Sequence, residues 1–222
     1  KDYWIDDYGL VWDQYDEAFT EPAPVHALGT LIHTIEAYMA AAEATTEPEW
    51  LDRAEKMAAF AYKVASKNGW RIPEYFDENW EANHEAGKLL NDGRRYYEGY
   101  VTGHSMQLAR FALQVRAGLR SMGWDVPDYL LEMGTELFER ARVDGWRRTD
   151  ACPGFSTGVD DEGDPIPGED EHQQWVVCEG VCAAVAVRRA MLDDGARVSD
   201  VEHFEHCYRS FVDYIHDYLI SQ

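Results

Sequence analysis

Residues 103–111 read Gly103-His104-Ser105-Met106-Gln107-Leu108-Ala109-Arg110-Phe111 and place a histidine and an amide at the start of an apolar helix. Thr102 is a favourable N-cap residue, so we expect His104 and Gln107 to lie three residues apart near the first turn, on one face of the helix. A polar pair at the mouth of a helix is a candidate functional site. The rest of the chain can be placed around it.

The composition predicts one globular domain spanning residues 1–222. With 45% hydrophobic and 13% aromatic residues, the chain can bury a substantial core. It contains no run of about 18 apolar residues, and residues 1–7 lack an apolar signal core. We therefore expect neither membrane insertion nor secretion, and the cytoplasm is the expected location.

The net charge of -22 argues against nucleic acid and anionic membranes as partners, because affinity for them comes largely from Lys and Arg. The acidic residues are spread along the chain, which favours a solvated acidic surface over an acidic partner-binding face. The four cysteines show no zinc-finger spacing, and we expect free, buried thiols rather than a disulfide or a metal site. His203 and His206 lie three residues apart, but their neighbours favour a solvated face over a metal site.

Apolar periodicity predicts six helices in three hairpins, the last beginning at an N-cap Ser199. The helices span about residues 30–45, 48–67, 103–122, 127–142, 172–193 and 199–219. Residues 1–23 are expected to be loop with at most one short strand. Long connections, residues 70–101 and 143–171, lead into the third and fifth helices; the second is expected to hold a short strand at 154–160. Loops of this length in a compact domain are usually functional when they are not disordered.

His33, His104 and Trp175 are separated by 71 positions each and lie near the starts of the odd-numbered helices. This spacing indicates an internal repeat, although loop lengths could also produce it by chance. If the odd helices are parallel and form an inner layer, their N-terminal ends converge on one mouth.

Such a mouth suits proton-transfer chemistry. Helix N-termini disfavour protonated imidazole, so we expect a histidine there to be biased towards its neutral form, which can move protons near pH 7. The N–H groups of the same helix ends would stabilise the oxyanion of an enediolate. Glu36 follows His33 by three residues and Glu179 follows Trp175 by four. Trp175 and Trp80 could form floors for pyranose rings. Each residue alone is more simply explained by packing or capping; their common register favours a site.

Several segments resemble the N-acylglucosamine 2-epimerase family, especially its aldose-ketose (mannose) isomerase branch. The similarity is carried by His33-Thr34-Ile35-Glu36-Ala37, Trp50-Leu51-Asp52-Arg53-Ala54, Gly69-Trp70-Arg71-Ile72-Pro73-Glu74-Tyr75-Phe76-Asp77, Gly103-His104 and Trp175-Val176-Val177-Cys178-Glu179. The resemblance implies an all-α (α/α)6 toroid that interconverts sugars at C1 and C2 without a metal or other cofactor.

By position, the resemblance implies that His104 is a general acid/base, with His33 as a pocket histidine and second catalytic candidate. It implies sugar contacts from five further residues, Glu36, Arg94 (or Arg95), Gln107, Trp175 and Glu179. The chain departs from the family where Gln107 and Leu108 replace the usual Glu and Trp, and where Gln174 precedes the tryptophan. A glutamine can hydrogen-bond a hydroxyl but cannot carry a proton.

Six predicted helices are about half of what such a ring requires. We expect further sequence, another chain or an oligomer to supply the remainder, and a small-molecule sugar as the partner. Two other functions stay open at this point. One is a carbohydrate-binding or regulatory protein that has lost catalysis, suggested by Gln107. The other is a glycoside hydrolase or lyase, which would need two opposed carboxylates, with Glu36 and Glu179 as the inward candidates.

Overall fold

The computed structural model describes residues 3–89, 96–149 and 152–220. It is mostly helical with short strands, as predicted. The six α-helices are α1 Leu28–Thr45, α2 Pro48–Lys67, α3 Thr102–Ser121, α4 Tyr129–Gly145, α5 Gln174–Asp193 and α6 Glu202–Tyr214. A π-helical turn, Ile215–Leu219, extends α6. Short 3-10 turns lie at His84–Leu89 and Val198–Val201.

The helices pack as three consecutive hairpins, α1 with α2, α3 with α4 and α5 with α6. In the row of odd-numbered helices, α3 packs between α1 and α5, while α4 packs against α2 and also against α5. One hydrophobic core joins all six helices. The N-terminal ends of α1 and α3 consequently lie beside each other.

The α2 helix shows why periodicity predicted these elements well. Pro48 occupies its first position, where the missing N–H costs no helical hydrogen bond. Its buried positions recur at helical spacing, and the chain leaves the helix through Gly69, which adopts a positive φ of 59°. The predicted bounds are therefore confirmed. The buried face consists of Leu51, Ala54, Met57, Ala58, Ala61 and Ala65.

Four antiparallel strand pairs complete the fold among the described residues. They are β1 Trp4–Ile5 with β2 Leu10–Val11, β3 Val25–Ala27 with β4 Tyr75–Asp77, β5 Tyr100–Val101 with β8 Gly158–Val159, and β6 Trp146–Thr149 with β7 Cys152–Phe155. The single strand predicted at 154–160 is wrong, because β7 and β8 pair with different partners.

Two of these pairs repeat one arrangement. The strand β3 leads into α1 and pairs with β4, which lies in the connection that follows α2. The strand β5 leads into α3 and pairs with β8, which lies in the connection that follows α4. Each long connection thus returns to the start of the preceding odd-numbered helix and fixes its N-terminal end.

Several helix starts differ from the prediction. Val101, not Thr102, is the N-cap of α3, because the Thr102 hydroxyl is buried and donates to the Ser156 carbonyl at 2.7 Å. Ser199 lies inside the 3-10 turn and α6 begins at Glu202. The other boundaries differ by about one to three residues, a common uncertainty at helix ends. None of the helices in the described part of the chain is long and apolar enough to cross a bilayer.

Candidate active site

A cavity of about 850 Å³ opens at the N-terminal ends of α1 and α3. Its volume falls within the usual range for ligand pockets. His33 from α1 and His104 from α3 both line it, as do Glu74 and Lys88. Among the described residues, tyrosines and small residues form the rest of the wall: Ala27, Gly29, Thr30, Thr34, Ala37, Tyr75, Gly87, Tyr96 and Tyr97. The structure therefore brings the two predicted catalytic histidines to one cavity.

Glu74 fixes the ring of His104. Its Oε2 lies 2.7 Å from His104 Nδ1, and its Oε1 accepts the Val101 backbone N–H at 3.1 Å. The side chain of Glu74 is only 4% exposed and that of His104 is 19% exposed. With Nδ1 turned to the carboxylate, Nε2 has no hydrogen-bond partner in the part of the chain that the structure describes. This second nitrogen is the one available to a ligand.

The surroundings of His104 act in opposite directions on its pKa. Burial, the largest influence, disfavours the charged imidazole and lowers the pKa. The charge of Glu74, its hydrogen bond and the charge of Glu179 outweigh burial, so the pKa of His104 lies above its ordinary value of 6.5. The expected bias of His104 towards its neutral form is therefore wrong in direction. It considered the helix N-terminus and overlooked the buried carboxylate.

Trp175 approaches the same histidine from α5. The ring centroids of Trp175 and His104 are 5.4 Å apart, with an interplanar angle of 41°. This approach depends on Gly103, because a Cβ at that position would stand 2.4 Å from the Trp175 ring and 3.0 Å from Val176. The glycine beside the histidine is thus required by the packing of α3 against α5.

We predict that Gly103→Ala destabilises the fold by about 1–3 kcal/mol, the usual cost of overpacking, and displaces Trp175 from His104. Urea unfolding of the variant measures this cost. The matched control is Gly29→Ala at the start of α1, where a Cβ would meet nothing within 4 Å and little or no loss is expected. Equal stability of Gly103→Ala and the unchanged protein would contradict the packing described here.

Gln107 and Glu179 meet across the α3–α5 interface. Gln107 Nε2 donates to Glu179 Oε1 at 3.2 Å, and Arg110 donates to both carboxylate oxygens, from Nε at 3.0 Å and from Nη2 at 3.1 Å. Sequence analysis placed Gln107 and Glu179 in the sugar pocket, but neither lines the cavity that contains the two histidines. Arg110, which was not singled out, holds Glu179 in a bidentate ion pair.

His33 and Glu36 form a looser pair on α1. Glu36 Oε2 is 3.4 Å from His33 Nδ1, and the two side chains are 68% and 52% exposed. Glu36 lines a second cavity of about 520 Å³, which runs along α1 and α3 towards their C-terminal ends and also contacts Arg110. Glu36 and Glu179 are the two carboxylates that a glycoside hydrolase would place on opposite sides of a sugar. They do not line a common cavity among the described residues, and Glu179 is paired with Arg110 and Gln107.

The common register of the three site residues is only approximate. His33 is the sixth residue of α1, His104 the third of α3 and Trp175 the second of α5. The equal spacing in sequence therefore does not mark equivalent helix positions. His33 and His104 share a cavity because α1 packs beside α3 and Glu74 contacts the starts of both helices.

The remaining residues singled out in the sequence do not line the cavity that contains the two histidines, or lie outside the described part of the chain. Trp80 is not a sugar floor, because it is buried and stacks on His26 with centroids 3.8 Å apart. Arg94 and Arg95 lie outside the described residues. His203 Nε2 is 2.7 Å from Glu139 Oε1, and no group of three metal-ligating side chains occurs within residues 3–89, 96–149 and 152–220.

The thiols of the described cysteine side chains are free, as expected, but their burial differs. Cys207 is buried, Cys178 is half-buried and Cys182 is exposed. Burial raises the pKa of Cys178 and raises the pKa of Cys207 to about 11. These two thiols are therefore poor nucleophiles near neutral pH.

Glu74 is the site residue that the sequence analysis missed, although the segment containing it was recognised. The sequence contained a signal: a single carboxylate stands between the apolar and aromatic pairs Ile72-Pro73 and Tyr75-Phe76, a pattern that favours a buried run, and the structure buries all five residues. A buried carboxylate requires a partner, so this one could have been flagged. Its partner could not be identified, because His104 lies 30 residues further along the chain.

Comparison with known proteins places these features in context. The sequence model of the N-acylglucosamine 2-epimerase (GlcNAc 2-epimerase) family matches residues 1–222. A D-mannose isomerase of Thermobifida fusca is 30% identical over 222 residues, covering 99% of this chain and 50% of that protein. Another, from Pseudomonas cannabina pv. alisalensis, is 28% identical over 187 residues, covering 83% of this chain and 44% of that protein.

Solved structures show the same fold. A crystal structure of a D-mannose isomerase superposes with a TM-score of 0.80 at 23% identity, covering 97% of this chain and 51% of the other. The cellobiose 2-epimerase of Spirochaeta thermophila superposes with a TM-score of 0.68 at 15% identity, covering 98% and 50%. The expected fold class is thus confirmed. The chain spans about half the length of the curated relatives it matches.

Proposed function

The chain belongs to the N-acylglucosamine 2-epimerase family, and from this premise we propose that it forms part of an enzyme that interconverts aldoses and ketoses of the mannose type, or C2 epimers, through a cis-enediol. One observation carries the proposal: His33 and His104 line a single cavity, and Glu74 orients His104 within it. A sugar is the proposed ligand and histidine side chains are the proposed acid/base groups.

In the proposed reaction the open-chain aldose loses its C2 proton to His104 Nε2. The electron pair moves into a C1–C2 double bond while the C1 carbonyl oxygen becomes an enediolate oxygen. When the proton of the C2 hydroxyl passes to the C1 oxygen, return of a proton to C1 gives the ketose with its carbonyl at C2. When the C2 hydroxyl keeps its proton, return of a proton to the other face of C2 restores the C1 carbonyl and gives the epimer. His33 lines the same cavity and is the second candidate proton donor.

The start of α1 supplies a place for the enediolate oxygen. Gly29 and Thr30 lie in the first turn of α1 and line the cavity. Amide groups of a first helical turn have no acceptor within the helix and carry partial positive charge. Such groups stabilise an oxyanion as it forms, which is commonly a large contribution to catalysis.

Heavy water provides the test. The intact protein is incubated in it with mannose, glucose or N-acetylmannosamine, and products and deuterium at C1 and C2 are measured. Formation of product with deuterium incorporation supports the proposal. If neither product nor deuterium at C1 or C2 is found with any of the three sugars, the proposal is contradicted. Calorimetric binding of a sugar without exchange would instead favour the inactive carbohydrate-binding alternative suggested by Gln107.

Cell fractionation tests the further proposal of a cytoplasmic location.

We predict that C2 exchange falls at acidic pH with a midpoint above 6.5. The proton is removed by unprotonated Nε2, and Glu74 and Glu179 raise the pKa of His104, so protonation inactivates the base at a higher pH than for an ordinary histidine. Glu179→Gln removes one of the two charges and should move the midpoint down. A midpoint well below 6.5 in the unchanged protein would contradict this assignment.

A further inference from the structure

Glu74 connects the starts of α1 and α3. Its backbone carbonyl accepts the N–H of Leu28, the first residue of α1, at 2.8 Å. Its side chain accepts the N–H of Val101, the N-cap of α3, at 3.1 Å and contacts His104 Nδ1 at 2.7 Å. One residue thus contacts both helices that carry the candidate catalytic histidines.

The carboxylate of Glu74 is built into this position. A carboxylate with 4% side-chain exposure is costly unless each oxygen finds a donor. Here Oε1 accepts a hydrogen bond from the backbone N–H of Val101, and Oε2 lies within hydrogen-bond distance of His104 Nδ1. The backbone donor lies at the N-terminal end of α3, where partial positive charge also favours an anion.

We propose that Glu74 is the positioning residue of the reaction: it holds His104 in the tautomer with the proton on Nδ1, so that Nε2 faces the sugar as a base. A carboxylate next to one imidazole nitrogen determines the tautomer of the ring in this way. The catalytic consequence rests on the proposed function above. The tautomer of His104 does not, and can be measured separately.

The charged groups around His104 come from several elements. Glu74 precedes β4, and Glu179 on α5 is near enough for its charge to raise the pKa of His104. His33 from α1 and Lys88 from the 3-10 turn His84–Leu89 line the same cavity. Among these, only Glu74 hydrogen-bonds the imidazole. Its removal should therefore change both the tautomer and the pH midpoint of His104, whereas removal of Glu179 should change only the midpoint.

Glu74→Gln separates positioning from a merely structural role. Glutamine fills the same space, and its amide oxygen can still accept the Val101 N–H. Its NH2 group then faces Nδ1 as a donor, so Nδ1 must accept and the proton moves to Nε2. The matched control is Glu139→Gln on α4, which removes a carboxylate from another imidazole, that of His203, also at 2.7 Å.

Nitrogen-15 NMR of the histidine rings decides the proposal. We expect His104 of the unchanged protein to carry its proton on Nδ1 when neutral. In Glu74→Gln it should carry the proton on Nε2 and titrate at lower pH, and Glu139→Gln should leave His104 unchanged. A proton on Nε2 in the unchanged protein overturns the proposal, and this result needs no folded variant. Retention of the Nδ1 proton and of the pH midpoint in Glu74→Gln also overturns it.

Activity gives a second readout. In the heavy-water assay, Glu74→Gln should lower kcat by about 10²–10⁴-fold, the usual contribution of a correctly protonated base, with KM little changed. Glu139→Gln should retain full kcat. Unchanged kcat in a folded Glu74→Gln variant contradicts the proposal. If the unchanged protein itself shows no exchange, the proposed function fails while the NMR result still decides whether Glu74 positions His104.

Discussion

Replacing His104 with alanine is expected to lower sugar turnover by about 10²–10⁴-fold, the contribution usually made by a general acid/base. The imidazole lines the cavity, and its Nδ1 lies 2.7 Å from the Glu74 carboxylate. The measurement is deuterium exchange at C2 in heavy water, with circular dichroism to verify folding. Turnover at the unchanged rate would remove His104 from the mechanism.

The control for this variant is His203→Ala. His203 is also paired with a carboxylate at 2.7 Å, but on α6, away from the cavity. It should retain full turnover. A second variant, His104→Gln, is less prone to misfold, because its amide can still donate a hydrogen bond to Glu74. The buried carboxylate then does not lose its side-chain partner. Loss of turnover in both His104 variants, with folding intact, would assign the effect to proton transfer.

Asp144→Ala is expected to destabilise the protein by about 3–5 kcal/mol, because it leaves a largely buried arginine without its counter-ion. Asp144 is 5% exposed and accepts from Arg71 Nε at 2.8 Å and Nη2 at 3.0 Å. The hydrogen bond to Asp144 raises the pKa of Arg71, although burial opposes it. Chemical denaturation monitored by circular dichroism measures the change in unfolding free energy.

Two further variants test the cause. The double variant with Arg71→Met and Asp144→Leu removes both charges and should recover most of the lost stability. Asp52→Ala breaks an exposed ion pair with Lys56 on α2 and should cost less than about 1 kcal/mol. If Asp144→Ala and Asp52→Ala lower the free energy of unfolding by the same amount, burial of the Arg71–Asp144 ion pair is not the cause of the large loss. Because Arg71 lies three residues before Glu74, Asp144→Ala should also loosen the segment that positions His104.

Features of the fold that depend on residues near each other in sequence were predicted correctly, whereas features that depend on distant residues were not. The bounds of α2 were correct because its apolar spacing, first-position proline and terminal glycine are all local signals. The strand predicted at 154–160 was wrong because β7 and β8 are chosen by partners elsewhere in the chain, Trp146–Thr149 and Tyr100–Val101. A two-residue strand carries too little pattern of its own to reveal its partner.

The candidate site divides in the same way. The sequence indicated His33 and His104, since each is a histidine in the first turns of an amphipathic helix. It gave no sign that Glu179 would be held by Arg110 and Gln107, a contact across 69 to 72 positions. It also misjudged Trp80, because the stacking partner His26 lies in β3 on the other side of α1 and α2 in sequence.

The sequence by itself therefore determined six helices, their hairpin order and the helix that begins at Gly103-His104, because periodicity and capping act within a few residues. Only the tertiary structure decided that Glu74 contacts His104. That contact depends on β4 returning to pair with β3, which brings a buried carboxylate to the starts of α1 and α3. It reverses the expected direction of the His104 pKa, because a nearby buried charge outweighs both a helix end and burial.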